Sequence, residues 1–361
     1  MPKLIELLKK RSNNYSEIEK EFYNTTGEKL LSKDTLTKKY ITRGIDKLSY
    51  SVVIPSYGFT EYLDGLLISL DTQIYKKNFE VIIVTNKSKD DRNYVLYKPK
   101  RYKLKLINLK RNYGRAFARN IGLAYSKGNI ISFIDSDMLL PNNFIIEHLY
   151  RMSISDDLIL VSLYENLSTT KYNSTLKKLI KKRFNFNGGY HKDFRYKQRF
   201  GFKDIKEGYN ITKRSINKDY YLLRDTKNFK EFGFGIKYGI WRLPEMLLTI
   251  AMTLSRNRAI STGGFDTRFR GWGYEDSHFG AKLIATGAYI IPIYNCVTYR
   301  VRHQPREGSI TRKYTQAKIN KLRYNKFLNQ EFNTQKLSKS FMEKYSIKRL
   351  HDKGIDILEQ N

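Results

Sequence analysis

The chain has 361 residues, 40% of them hydrophobic, one cysteine and a formal net charge of +32. That length suits one large α/β domain with additions, and that apolar share excludes wholesale disorder. A lone cysteine, Cys296, excludes a disulfide framework and a cysteine-rich zinc site and fits a reducing compartment. The charge is either a bias of solvated lysines or attraction to an anion: nucleic acid, an anionic membrane face or a phosphorylated substrate.

Residues 1–48 carry apolar side chains at helical spacing in "LIELLKK" and "YSEIEKEFY", which predicts one or two polar amphipathic helices. They show no secretory pattern. The greasiest stretch, Met246 to Leu254, is far short of the ~20 residues of a membrane span. The expectation is a cytoplasmic protein, peripheral at most to the inner membrane face. From Tyr50 the texture changes. Short β-branched runs, "YSVVIPSY", "FEVIIVTN", "YKLKLINL" and "NIISFIDSD", predict strands, with helices over Thr60 to Leu70 and Tyr113 to Gly128. Continuous apolar strands alternating with helices imply a mostly parallel sheet covered on both faces, an α/β fold. Ligands of such sheets bind beyond the carboxyl ends of the strands, here Pro55–Ser56, Thr85–Asn86 and Asp135–Asp137.

Asp135 and Asp137 are separated by one serine. They share one side of a strand or straddle a turn. Neighbouring carboxylates raise each other's pKa unless a cation neutralises them, and hard oxygen ligands suit Mg²⁺ or Mn²⁺. Alternatively, the pair caps a helix beginning in "DMLLPNNF". Between residues 171 and 230, eighteen Lys/Arg stand against five Asp/Glu with twelve Phe or Tyr interleaved. A second cluster follows, "GGFDTRFRGWGYEDSHFGAKLIATG", and the tail from about Arg312 reads as helical, amphipathic and basic.

"NYGRAFARNIGLAYSKGNIISFIDSD" resembles the N-x-G-x-x-x-A-R-N-x-G helix and Asp-x-Asp strand of the family 2 glycosyltransferases of the GT-A fold. The second cluster resembles the galactosyltransferase-type C-terminal segment. The resemblance runs from about Ser51 to His303. It implies a GT-A domain over 49–310, a mixed, mostly parallel sheet, with an acceptor region at 171–240 and helical additions at 1–48 and 311–361. It also implies an inverting, metal-dependent transfer of a hexose or N-acetylhexosamine from a UDP-sugar to a saccharide, lipid-linked or peptide acceptor.

The same resemblance assigns roles. Asp137 is a metal ligand, Asp135 lies by the donor ribose and metal, and His303 in "YRVRHQP" is a further ligand for Mn²⁺ or Mg²⁺, or else a surface histidine. Asp276 is the general base, with Glu275 binding acceptor or holding the base; both also suit a helix N-terminus. Trp272, between Gly271 and Gly273, stacks a sugar from a mobile loop, or packs in the core. Arg115 and Arg119 lie one helical turn apart, so either could reach the diphosphate; Arg119 matches the family position, and Arg115 is otherwise a solvated charge. Pro55, Ser56 and Asn86 complete the donor site.

One departure stands out. Where many family members carry Asp-Asp-Gly-Ser, this chain reads "VTNKSKDD". Asn86 retains a carbonyl for a base N–H. A reading of another class, a nucleic-acid-binding protein, accounts for the basic, aromatic stretch but leaves Asp135, Asp137, Glu275 and Asp276 unexplained. No specific nucleic-acid partner is expected.

Overall fold

The computed structural model describes residues 1–11, 15–30, 44–58, 61–86, 98–167, 247–301, 309–346, 349–350 and 356–360. Two short helices, α1 (Leu4–Lys9) and α2 (Ser16–Thr26), open the chain. Strands β1 (Tyr50–Ser56), β2 (Glu80–Thr85), β3 (Lys103–Asn108) and β4 (Ile130–Ile134) follow, with helices α3 (Glu61–Asp71) and α4 (Arg115–Tyr125) among them. These fall where the apolar runs predict them. The four strands pair in parallel in the order β3-β2-β1-β4.

The second half adds β5 (Met138–Leu139), α5 (Phe144–Met152), β6 (Leu158–Leu167), β7 (Ala251–Ser255), α6 (Arg256–Ser261), α7 (Glu275–Ala285) and β8 (Tyr289–Val301). The described tail is α8 (Ser309–Leu328), α9 (Thr334–Lys344) and β9 (Asp356–Gln360). The nine strands form one mixed sheet in the order β5-β8-β6-β7-β4-β1-β2-β3-β9. Its core is parallel. Antiparallel pairing enters through β5, β7 and β9, so the α/β sheet is mixed, as the resemblance implies.

Alternation along the central strands splits the core into two layers. Val53, Ile82, Ile131 and Phe133 face a cluster containing residues of α4 and α7. Val52, Ile54, Val81 and Ile83 face one containing residues of α3 and α5. The N-terminal helices join both layers: Leu4, Ile5 and Leu8 enter the first, Tyr15 and Phe22 the second. Helix α4 lies so close to β1 that a Cβ on Gly122 would clash with Val53 Cγ1. That contact fixes the helix carrying Arg115 and Arg119 against the strand ending in Pro55–Ser56.

The tail differs from its expected all-helical form. It ends in β9, which pairs antiparallel with β3, from Leu104 opposite Gln360 to Asn108 opposite Asp356. A five-residue edge strand after a long amphipathic pattern carries too little periodicity of its own to be read in advance.

Candidate active site

The carboxyl ends of β1, β2 and β4 open onto a cavity of about 290 Å³. Pro55, Ser56, Asn86, Arg115, Asp135 and Asp137 line it, together with Tyr57, Asn112, Gly114, Ser136, Gly271 and Arg300. Six of the residues expected in the site are thus brought together. Arg119, Glu275, Asp276 and Trp272 are not in the lining; Gly271, next to Trp272, is.

Asp135 and Asp137 straddle a turn. The Met138 N–H donates to the Asp135 carbonyl at 3.2 Å, and the Asp135 N–H donates to the Ile250 carbonyl at 2.9 Å. Helix α5 does not begin until Phe144, with Asn143 as its N-cap residue, so neither aspartate caps it. Asp137 is buried, and its Oδ2 accepts from Arg300 Nε at 2.9 Å. Burial works to lower the pKa of Arg300, but Asp137 and Asp135 outweigh it and raise it above the ordinary arginine value.

On the inner side lies a hub of charge. The Arg119 side chain is 1% exposed, and its guanidinium touches three carboxylates. Nη2 meets Asp135 Oδ1 at 2.9 Å; Nη1 meets Asp276 Oδ1 at 3.0 Å and Glu275 Oε1 at 3.6 Å. Arg115, half-exposed at the pocket, holds Glu275 Oε1 at 2.7 Å. Thr249 donates its hydroxyl to Asp276 Oδ1 at 2.7 Å. Burial pushes Asp276 up to about 6; Arg119 opposes the rise and Glu275 adds to it. A carboxylic acid poised there can exchange a proton near neutral pH.

Glu275 and Asp276 start α7, preceded by a loop of unusual backbone. Gly271 and Gly273 have φ of +74° and +98°, and Tyr274 sits at φ +68°, a left-handed conformation costly for an aromatic residue. The loop is tied from behind. Asn320 of α8 donates through Nδ2 to the carbonyls of Arg270, Trp272 and Gly273 at 3.0, 3.2 and 3.0 Å. Trp272 itself is 46% exposed, which rules out ordinary core packing for it. Asn86, almost fully buried, accepts from the Tyr113 N–H at 3.3 Å, so its carbonyl is partly engaged by the loop before α4.

His303, the remaining expected ligand, and the basic stretch 171–240 lie outside the described residues. Three site residues escaped sequence reading. Thr249 was hidden in the apolar run "MLLTIAMTL", Arg300 stands three residues before the histidine in "YRVRHQP", and Asn320 looked like one polar residue of a basic helix. The first two had a usable signal, being polar side chains within or beside apolar strand sequence.

The donor set fits a hard divalent cation in part. Asp135 and Asp137 line one cavity, and two carboxylates are the number from which Mg²⁺-type sites are built when water and phosphate supply the rest. Among the described residues no group of three or more His, Cys, Asp or Glu side chains forms a complete cage.

Residues 51–221 match the family model "Glycosyl transferase family 2", and residues 241–304 match "N-terminal domain of galactosyltransferase". Residues 51–221 therefore resemble a family 2 glycosyltransferase, and a galactosyltransferase-type segment follows that match. The uncharacterized glycosyltransferase YfnE of Bacillus subtilis is 27% identical over 242 residues, 66% of this chain and 60% of that protein. Chondroitin synthase of Pasteurella multocida is 22% identical over 289 residues, covering 73% of this chain and 26% of that one. The chain therefore spans about 60% or less of these relatives. Among solved structures, S. aureus TarS is similar with a TM-score of 0.44 and 16% identity, over 84% of this chain and 43% of that chain.

Proposed function

We propose that the protein transfers a hexose or N-acetylhexosamine from a UDP-sugar to a saccharide or lipid-linked acceptor, with inversion at the anomeric carbon. The observation that carries this reading is the joining of two expected carboxylate pairs through Arg119, next to a cavity at the carboxyl ends of the strands.

In this reading the donor diphosphate lies over Asp135–Ser136–Asp137, within reach of Arg115 and Arg300. Pro55, Ser56 and Asn86 hold the nucleoside. Asp276 accepts the proton of the acceptor hydroxyl as its oxygen attacks the anomeric carbon. The bond to the diphosphate breaks with its electron pair, and the nucleoside diphosphate leaves. Arg119 is a positioning residue. It keeps Asp276 in place and depresses its pKa against the upward push of burial. Trp272 offers an exposed ring to the sugar. Asp135 and Asp137 would hold Mn²⁺ or Mg²⁺, with His303 as an added ligand; a divalent cation there supplies charge neutralisation for the leaving diphosphate. A peptide acceptor is a variant of the same chemistry.

Support for a saccharide acceptor comes from relatives named chondroitin synthase and amylovoran biosynthesis glycosyltransferase. No helix among the described residues is long and apolar enough to cross a membrane. Helix α8 carries six Lys/Arg and no acid, and exposes Tyr314, Ile319 and Leu322. That pattern suits peripheral contact with an anionic membrane face.

A thermal-shift panel of UDP, GDP, CDP and ADP, each with and without Mn²⁺, tests the donor site by mass action. UDP should raise the melting temperature most, and Asp137→Ala should remove the part of the shift that Mn²⁺ adds. A panel with no shift for any nucleotide contradicts the reading.

A further inference from the structure

Asp137 already has a cation. Arg300 Nε donates to Asp137 Oδ2 at 2.9 Å, and Arg300 lines the same cavity as Asp135 and Arg115. The arginine is held there by strand geometry. Residue 300 is in antiparallel register with Met138 of β5 and in parallel register with Asn166 of β6. The next residue, Val301, donates its N–H to the Asp137 carbonyl at 2.9 Å. Backbone and side chain of β8 therefore both close on the Asp-Ser-Asp turn.

The charges in the lining explain what this pairing does. Of the two lining carboxylates, Asp137 pairs with Arg300 in the lining, whereas Asp135 pairs with Arg119 behind it. A buried carboxylate such as Asp137 needs a counter-ion, and a guanidinium and a divalent cation compete to neutralise it. A diphosphate entering the cavity brings new negative charge. The guanidinium has five N–H donors, of which the Asp137 contact uses one, and its planar fork matches phosphate oxygens.

We propose that Arg300 is a diphosphate-binding residue that also serves as resident counter-ion to Asp137, so that nucleoside diphosphate binds without metal and a metal ion competes with Arg300 for the Asp137 carboxylate. This rests on the donor-site reading above. With a divalent cation held by Asp135 and Asp137, the Arg300 guanidinium would be released toward phosphate, and the cation would add to its neutralisation of the diphosphate charge. Metal strengthens donor binding without being a condition for it.

Calorimetric titration tests this on the full chain, with UDP in EDTA, UDP in saturating Mn²⁺, and Mn²⁺ alone. Wild type should bind UDP in EDTA. Arg300→Gln should weaken that binding about tenfold or more, the scale of a charge-assisted hydrogen bond, and should lose much less in Mn²⁺. The same variant should bind Mn²⁺ alone more tightly, since Asp137 has lost its competitor. Arg300→Lys, which keeps a cation but no fork, should be intermediate, and it carries the test if the glutamine variant does not fold. Unchanged UDP affinity in EDTA together with unchanged Mn²⁺ affinity overturns the role of Arg300 while leaving the donor site standing. Absence of binding by UDP, GDP, CDP and ADP under every condition overturns the donor site and this proposal together.

Discussion

Arg119 and Asp276 lie 157 residues apart in sequence and 3.0 Å apart in space, in an ion pair that joins helix α4 to the start of α7. The same guanidinium holds Asp135 at 2.9 Å, so one side chain ties together the two carboxylate clusters. Burial works to lower its pKa, but Asp276, Asp135 and Glu275 together raise it above the ordinary arginine value.

Replacing Arg119 with methionine should therefore destabilise the fold by about 3–5 kcal/mol, the cost of removing one partner from a buried charge cluster. Chemical denaturation measures this. Arg119→Lys should retain part of the stability, since one ammonium cannot reach the carboxylates as a planar fork does. Because Arg119 lowers the pKa of Asp276, the lysine variant should also show an activity profile whose acid limb is displaced to higher pH.

The acid limb of the wild-type enzyme should follow Asp276. A general base works deprotonated, so the transfer rate should fall as pH drops through about 6. The linkage to stability has the opposite sense. A folded pKa of about 6 against an ordinary 3.8 means the folded state holds this proton more tightly. The contribution is full below 3.8 and is lost as pH rises through about 6. A pH–rate profile beside pH-dependent unfolding separates the two, and Asp276→Asn should flatten both.

Gly122 offers a test of how α4 is seated. Helix propensity alone predicts that Gly122→Ala stabilises by up to ~1 kcal/mol. The clash that an added Cβ would make with Val53 Cγ1 predicts instead a loss of about 1–3 kcal/mol through overpacking. Val53→Ala in the same chain should restore part of that loss, which a double-mutant cycle on unfolding free energies would detect.

Asn320→Ala removes the donor to three loop carbonyls. At about 1 kcal/mol net per hydrogen bond, global stability should drop modestly, by about 1–3 kcal/mol. The sharper effects should be local: faster amide exchange in residues 270–274 and a raised KM for the nucleotide sugar, with less change in kcat.

Much of this site was legible in the sequence because it hangs on the ends of strongly patterned strands. β1, β2 and β4 are apolar runs whose ends can be read directly, and Pro55, Ser56, Asn86, Asp135 and Asp137 do line one cavity. Partnership was not legible. Nothing local tells that Arg119 turns inward to three carboxylates while Arg115 faces the pocket, since both lie on one helix face and the difference is set by β1 and α7. Arg300 owes its place to the register of β8 with β5, a long-range pairing that no window of sequence contains. The loop at Trp272 reads as glycine-rich and free, yet its restraint comes from Asn320, some fifty residues onward.

The most direct test of sugar transfer at this pocket is release of UDP from a panel of UDP-hexoses and UDP-N-acetylhexosamines with saccharide acceptors, comparing wild type with Asp276→Asn. The account predicts UDP release by wild type and a loss of about 10²–10⁴-fold in the variant, the usual worth of a positioned general base, with UDP affinity retained within a few-fold. Wild-type turnover by the variant, or equal loss of UDP binding and rate, would contradict the assignment of Asp276 as the base.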